Sequence, residues 1–501
     1  MATSTTTTST TVTLFDLSAH KVLLARFFSM SMENTIIPGI EDDWISSSFE
    51  CDKNKKTTDA YRQFKHDQEF DFYASVVPSI YERTYTPQKS VCFCVTKPKL
   101  REIFAAHYSD RRVQHWVTHR LEPLFEERFV SQGNVSFNCR EGFGVQAAVL
   151  RVRDIIEEIT ENYTKEAYIG KYDLKGFFMS IDKDILWSQL KTFIEENYTN
   201  EADKDILLYL SKTIIYHCPQ KNCRKKGNIR LFKQLPKGKT LFSQPDNKGL
   251  PIGNITSQLF ANFYMSFFDA FMIEQVEKIG GKYIRFVDDF LIVAPRKNDI
   301  KKLKLIARDY LRNELHVTLH PNKEYLQKAT HGVKFLGYYI KPHRIYLSNR
   351  TWRTLTNKLY ILNIYAQKYK KQGNWLSIDD LRILKLITSS INSCLGFSVK
   401  CNRYKRAKSE LERFPDIFNL VYISSTKNEN GELVPNYRKI CIHPYLRTDN
   451  ILFNKFIRQN YGRNQNEYQQ ASKDGTCRRE NHRLSGESVE LQHQGNENNR
   501  P

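Results

Sequence analysis

Three aspartates set the chemistry that this 501-residue chain can support. Asp288 and Asp289 are adjacent, flanked by the β-branched and aromatic runs Tyr283-Ile284-Arg285-Phe286 and Phe290-Leu291-Ile292-Val293. That pattern reads as a β-hairpin with two carboxylates at its tip. Adjacent acids at a buried turn repel each other and lose hydration, so they need a cation nearby. Taken alone, a solvated turn explains the pair at least as well. Asp173 changes the balance, because it closes the short apolar strand Ala167-Tyr168-Ile169-Gly170-Lys171-Tyr172, with Gly176-Phe177-Phe178 just beyond. One acid at a strand end and two in a neighbouring hairpin can converge on a pair of Mg²⁺ ions. Such a pair activates a hydroxyl nucleophile and stabilises the leaving group of an in-line displacement at phosphorus. Mg²⁺ takes few carboxylates and completes its shell with water and phosphates, so three acids suffice without His or Cys.

The elements that must position these acids are legible in outline. Short strands alternating with helices are expected over about 166–345, and mostly amphipathic helix precedes them to about 165. Val91-Cys92-Phe93-Cys94-Val95 is strand-like, and the stretch from 12 to 90 carries a weak helical pattern. Within the alternating region, Gly249-Leu250-Pro251-Ile252-Gly253-Asn254-Ile255-Thr256-Ser257-Gln258 leads into a helix through Leu259, Phe260 and Phe263. Its glycines allow close backbone approach to a substrate, and Ser257 is a candidate helix cap. Beyond 345, Trp352, Leu355, Leu359 and Leu362 make one apolar helix face, and Leu381, Leu384, Thr388, Ile391 and Leu395 make a second, with Gly396 as its expected stop. The Ser/Thr leader of residues 1–11 and the polar tail of residues 461–501 should be disordered.

Charge narrows the partners. There are 76 Lys and Arg against 55 Asp and Glu, a formal net charge of +21, which calls for a polyanion, nucleic acid or an acidic membrane surface. Eight basic residues and no acid lie between Pro219 and Thr240: Lys221, Arg224, Lys225, Lys226, Arg230, Lys233, Lys237 and Lys239. A loop of that kind gives salt-sensitive, sequence-independent affinity for phosphate backbones. A second cluster holds Lys400, Arg403, Tyr404, Lys405 and Arg406, and Tyr360, Tyr365 and Tyr369 interleave with Lys358, Lys368, Lys370 and Lys371. Aromatics in such settings can stack on bases, although a tyrosine stripe at helical spacing is more often core. These clusters favour nucleic acid over a membrane. No apolar run reaches membrane-spanning length, the first residues do not read as a secretory signal, and the ten cysteines are scattered as in a reduced cytoplasmic protein. His217, Cys218 and Cys223 fit no common zinc spacing.

Phe286-Val287-Asp288-Asp289 resembles the aromatic-x-Asp-Asp signature (motif C) of reverse transcriptases. Asp173-Leu174-Lys175-Gly176-Phe177-Phe178 resembles motif A of the group II intron-like bacterial enzymes, 115 positions upstream (288 minus 173). The resemblance implies an α/β right-hand polymerase copying RNA into DNA. Asp173 and Asp288 would hold two Mg²⁺ ions (Mn²⁺ being an alternative), Asp289 would support the site, and Leu174 would lend its backbone carbonyl. Phe178 falls at the family's steric gate, which excludes a ribose 2′-hydroxyl; plain core packing is its bland alternative. The Gly249–Gln258 stretch resembles motif B, with Gly253, Ser257 and Gln258 against the nascent base pair. Its Ile252 before the glycine and its Ser257-Gln258 ending resemble diversity-generating retroelement enzymes, whose copying is error-prone.

Further motifs extend the resemblance over roughly 90–410. Lys97-Pro98-Lys99-Leu100-Arg101-Glu102-Ile103 and Asp110-Arg111-Arg112-Val113-Gln114-His115 look like finger motifs, with Lys97 and Arg101 on the nucleotide triphosphate. Arg140-Glu141-Gly142-Phe143-Gly144 looks like the next finger motif, with Glu141 where Lys is usual. His320-Pro321-Asn322-Lys323 matches motif D, whose Lys is assigned to protonate pyrophosphate, and Val333-Lys334-Phe335-Leu336-Gly337-Tyr338 looks like motif E. The implied layout is fingers at 90–165, palm at 166–345 and helical thumb at 346–425, with a helical N-terminal extension at 12–89 and an addition at 426–460. No RNase H or His-Asn-His nuclease pattern stands out. Expected partners are template RNA, a DNA or RNA primer and deoxynucleotides, together with an accessory protein or a non-coding RNA. The alternatives are the same chemistry in antiviral defence with a non-coding RNA, and a catalytically silent RNA-binding protein.

Overall fold

The computed structural model describes residues 40–446 apart from 54, 56–57, 97–98, 374–375, 398–400, 402–403 and 428–430, and the side chains of 40–43, 378, 404–405, 438 and 445 are also undescribed. The expected leader, the first part of the N-terminal extension and the polar tail lie outside these residues. Contacts divide the chain into two units between Tyr346 and Leu347.

The first unit is organised around a four-stranded antiparallel sheet in the order β5-β6-β3-β7. β3 is Tyr168–Asp173, β5 Lys282–Phe286, β6 Asp289–Ala294 and β7 Tyr325–Lys328. Phe290, Leu291, Ile292 and Val293 are all at most 1 % exposed, so β6 is buried on both faces. Central strands of this kind read as a continuous apolar run rather than an alternating one. Helix Ile255–Glu277 crosses behind β5, and it buries 14 of its 23 residues. A helix apolar all round belongs inside a core. Its Phe263 stacks on Phe125 of helix Tyr108–Ser131 with ring centroids 4.4 Å apart.

A smaller sheet has the order β2-β1-β4, with β1 (Ser90–Val95) antiparallel to β2 (Arg101–Ala105) and parallel to β4 (Cys223–Lys226). Arg101–Ala105 is a strand in a stretch read only as a finger-like motif, and Cys223–Lys226 is a docked strand rather than part of an open basic loop. Buried Glu102 fixes the chain that follows β4, its carboxylate accepting the Thr240 hydroxyl at 2.7 Å and the Leu241 amide and so tying that segment to β2. The helix Ile40–Asp52 packs on Tyr108–Ser131 through Trp44 and Trp116, whose rings stack 5.0 Å apart. Short helical pieces from Asp59–Gln63 to Val77–Tyr81 follow it end to end.

In the second unit, helix Asn349–Lys371 buries Trp352, Leu355, Leu359 and Leu362, and helix Ile378–Phe397 buries Leu381, Leu384, Thr388, Ile391 and Leu395. The second helix continues through Gly396 to Phe397, so Gly396 does not stop it. The unit is not wholly helical. A hairpin of Val421–Lys427 and Leu433–Ile442 runs across position 425, where a boundary was expected. Asn392 holds it to the second helix, its side chain donating to the Ile440 carbonyl and accepting the Ile440 amide, both at 2.8 Å.

Candidate active site

The hairpin β5–β6 turns through Val287 and Asp288, with Phe286 paired to Asp289. Asp289 is also the register partner of Asp173, the last residue of β3. Residues directly opposite in an antiparallel pair have Cα atoms about 4.5–5.5 Å apart. The Leu174 amide donates to the Asp288 carbonyl at 3.0 Å, which closes the third side. Three carboxylates from segments more than a hundred residues apart therefore meet at one end of the sheet. Unit charges at about 5 Å repel by roughly 3 kcal/mol at an effective dielectric near 20. Burial, and then the charges of Asp289 and Asp173, push the Asp288 carboxyl up to about 6, and burial raises that of Asp289.

Two ammonium groups lean into the cluster. Lys323 donates to Asp173 Oδ1 at 2.6 Å, and Lys171 lies 3.6 Å from Asp289 Oδ1. The chain leading into β7 brings Lys323 there, with the Lys175 amide on the Thr318 carbonyl and the His320 amide on the Asp173 carbonyl, both 2.8 Å. Three acids against two lysines leave the site net negative, a donor set suited to hard divalent cations. Among the described residues no three His, Cys, Asp or Glu side chains form a ready metal cage. An open set of this kind matches Mg²⁺, which relies on substrate phosphates and water for most of its ligands.

Phe177 and Phe178 diverge as their adjacency requires, with Phe177 buried at 3 % exposure and Phe178 half-buried, rings edge-on at 5.6 Å. Phe178 packs beside Cys92, Phe104, Met179 and Leu241, and its carbonyl accepts the Leu250 amide at 2.8 Å. Leu174 has a buried side chain, and its amide is spent on Asp288.

Packing on the protein itself requires glycine at 253. Its φ is +126°, and a Cβ there would stand 2.6 Å from the Phe104 carbonyl oxygen. The Phe104 amide donates to the Ile252 carbonyl at 2.8 Å, so this loop is docked on β2. Ser257 is not the helix cap, because the helix begins at Ile255 after Asn254 and Ser257 lies buried in its first turn. Exposed Gln258 accepts the Cys139 thiol at 3.0 Å. Sequence reasoning missed Cys139, together with Asn262 and Arg285 behind it, because isolated polar residues carry no spacing signal.

Lys97 and Arg403 lie outside the described residues, as does the side chain of Lys405. Arg101 opens β2 opposite Val95 and is exposed. Arg112 and Asp110, in the second finger-like motif, are buried structural groups. Arg112 binds Asp52 and Glu69, each at 2.9 Å, and Asp110 accepts the Tyr85 hydroxyl and the Gln88 amide. Arg140 is likewise held by Glu126 and the Ser136 carbonyl. Of the basic stretch, Lys221 pairs with Asp246, Arg224 and Lys226 are exposed on β4, Arg230 is exposed nearby, and Lys225 lies 4.2 Å from the Phe242 ring centroid. In the second unit Arg406 stacks over Trp352 at 4.5 Å, Lys368 pairs with Asp380, Lys358 donates to the Ser390 carbonyl, and Tyr369 is core.

Protein YkfC of Escherichia coli (strain K12) is 22 % identical over 286 residues, an alignment covering 50 % of this chain and 66 % of that protein. Among solved structures, apo telomerase from Candida tropicalis truncated from its C-terminal domain superposes with a TM-score of 0.37 at 14 % identity, covering 52 % of this chain and 56 % of that one. Telomerase from Candida albicans in complex with a TWJ fragment of telomeric RNA superposes with a TM-score of 0.38 at 12 % identity, covering 67 % and 57 %. The chain thus spans less than two thirds of the length of each of these proteins. Residues 88–340, which contain the central four-stranded sheet, the β2-β1-β4 sheet and all three acids, match the family model described as reverse transcriptase (RNA-dependent DNA polymerase). With just over half of its length matched, the chain belongs to the reverse transcriptase family.

Proposed function

We propose that this protein is an RNA-directed DNA polymerase that extends a DNA or RNA primer on a structured RNA template. The observation that carries the reading is the meeting of Asp173, Asp288 and Asp289, through the β3–β6 register, inside the family-matched region. Asp173 and Asp288 would hold two Mg²⁺ ions, with Asp289 and the Leu174 carbonyl in support and Mn²⁺ as an alternative. When bound, the metals supply activation of the primer 3′-hydroxyl and stabilisation of the leaving pyrophosphate. The chain's own groups do the rest. Arg101 and Lys97 bind the triphosphate, and Gly253, Ser257 and Gln258 border the nascent pair. Phe178 excludes a 2′-hydroxyl. Lys323, released from Asp173 as cations enter, gives a proton from Nζ to pyrophosphate. The exposed bases Arg224, Lys226 and Arg230 follow the RNA backbone.

The biological setting we favour is a diversity-generating retroelement, working with an accessory protein in the cytoplasm. Ile252-Gly253 with the Ser257-Gln258 ending supports it. The added helix Ile40–Asp52 and its neighbours favour a second setting, antiviral defence with a non-coding RNA. Among the described residues no helix is long and apolar enough to cross a membrane. Extension of a primed RNA template with deoxynucleotides and Mg²⁺ tests the chemistry. Wild-type extension that survives in Asp288→Ala would sink it, and an inert wild type would return the chain to a silent RNA-binding role.

A further inference from the structure

Behind the acid-bearing turn lies a charge that the proposed chemistry does not use. Arg285, on β5, is 1 % exposed. Its Nε and Nη2 donate to the two oxygens of Asp269 at 2.7 and 2.5 Å, and Nη2 also reaches Asn262 Oδ1 at 3.0 Å. Asp269 is fully buried and accepts the Tyr283 hydroxyl as well, at 2.8 Å. These contacts already neutralise and anchor the guanidinium. Its remaining nitrogen, Nη1, donates to the Val287 carbonyl at 3.2 Å.

Val287 is where such a contact matters. Its φ is +56°, in the left-handed region that a β-branched residue adopts only under constraint. Two-residue hairpin turns ordinarily place Gly or Asn at a position of this kind. Asp288 is the next residue, and its carbonyl is held from the other side by the Leu174 amide.

We propose that Arg285 is a positioning residue: anchored on Asp269 and Asn262, it clamps the Val287 carbonyl, holds the turn in its strained form and so sets Asp288 beside Asp173. Asn262 also accepts the Ser136 hydroxyl at 2.7 Å and donates to the Asn138 carbonyl at 3.1 Å, so the clamp is braced by the segment that also carries Cys139. The inference rests on the reading of the acid cluster as a divalent-cation site.

The test is the Mn²⁺-induced shift in thermal unfolding of the full chain without nucleic acid, read as a midpoint concentration. Asp269→Asn with Arg285→Gln removes both charges of the buried pair together, so neither is left buried without its partner. The expected result is a Mn²⁺ midpoint raised about tenfold, the lower end for losing an outer-shell partner. Adding Val287→Gly should lower it again, because Gly adopts the turn without a clamp. Should the double variant not fold, Arg285→Lys keeps a cation for Asp269, lacks the fork that reaches Val287, and carries the same expectation. A wild-type midpoint in the folded variant, or a raised midpoint that Val287→Gly leaves unchanged, overturns the clamp. Asp288→Asn separates the two ideas. If it leaves the wild-type Mn²⁺ response intact, the cation-site reading itself fails. If it removes that response while the double variant stays normal, only the clamp fails.

Discussion

Two clusters in the first unit bury acidic groups beside basic ones, and they do so to opposite ends. At the packing of Ile40–Asp52 on Tyr108–Ser131, Asp52 and Glu69 face Arg112 and Lys65. The guanidinium, 1 % exposed, also lies 4.5 Å from the Phe64 ring centroid. Acids and cations are equal in number there, and although burial alone would raise the Glu69 carboxyl, Lys65 and Arg112 outweigh it and hold it low. At the end of the central sheet, three acids share two lysines, one of them 3.6 Å away, and the Asp288 carboxyl is pushed up to about 6. A closed, neutral cluster stabilises a fold. An open, net negative one costs stability, and the missing charge is left for a ligand to supply.

The largest expected effect breaks the open cluster. Asp288→Ala should lower primer extension by about 10⁴-fold, or roughly 5.5 kcal/mol at 1.4 kcal/mol per tenfold. Its thermal stability without metal should hold or rise, because a repelled charge is gone. A parallel loss of stability would show that the acids serve the fold instead. The counterpart in the closed cluster is Arg112→Met, expected to lower unfolding free energy in urea by about 3–5 kcal/mol, since two buried carboxylates lose their partner. A change below about 1 kcal/mol would erase the contrast.

A smaller effect concerns selectivity beside the open cluster. Phe178→Ala should raise ribonucleotide incorporation relative to deoxynucleotide by roughly 10–200-fold, the range for removing a steric contact of about 1–3 kcal/mol. Unchanged sugar selectivity would leave Phe178 as packing against Phe104 and Leu241. The smallest effect sharpens the comparison through pH. Asp288 has a raised folded-state pKa, so its contribution to stability is full below the ordinary carboxylate value and lost as pH rises through about 6. Glu69 has a lowered one, so its contribution is present at neutral pH and lost as pH falls below the ordinary value. Without metal, the Asp288 part should amount to about 1–2 kcal/mol, and saturating Mg²⁺ should reverse its sign. Asp110, also pushed up to about 6 by burial, adds a slope of the first kind that Mg²⁺ leaves alone. Thermal melts between pH 4 and 8, for wild type and Asp288→Asn with and without Mg²⁺, separate them. A wild-type slope insensitive to Mg²⁺ would count against cation binding by Asp288.

Much of this was legible because it is periodic or local. The apolar faces of the two helices after 346 follow a spacing of three and four, and the β5–β6 hairpin shows as two apolar runs around two acids. The strand Arg101–Ala105 was not legible, because its buried Glu102 looks like surface charge until Thr240 and Leu241, more than a hundred residues on, close over it. That Gly253 packs against the Phe104 carbonyl of β2 was not legible either, because the two are 149 positions apart (253 minus 104).

Residue types and their order determined that this chain carries carboxylates able to hold cations, a basic surface able to hold phosphates, and elements of the right period to frame both. Only the tertiary structure decided which charges are spent. Asp110, Arg112 and Arg140 stand in motif-like stretches as plausibly as Asp173 and Asp288 do, yet burial gives each a partner inside the protein. The physical reason is that a charge's role depends on what faces it across space, and sequence separation carries no information about that distance until the chain has folded.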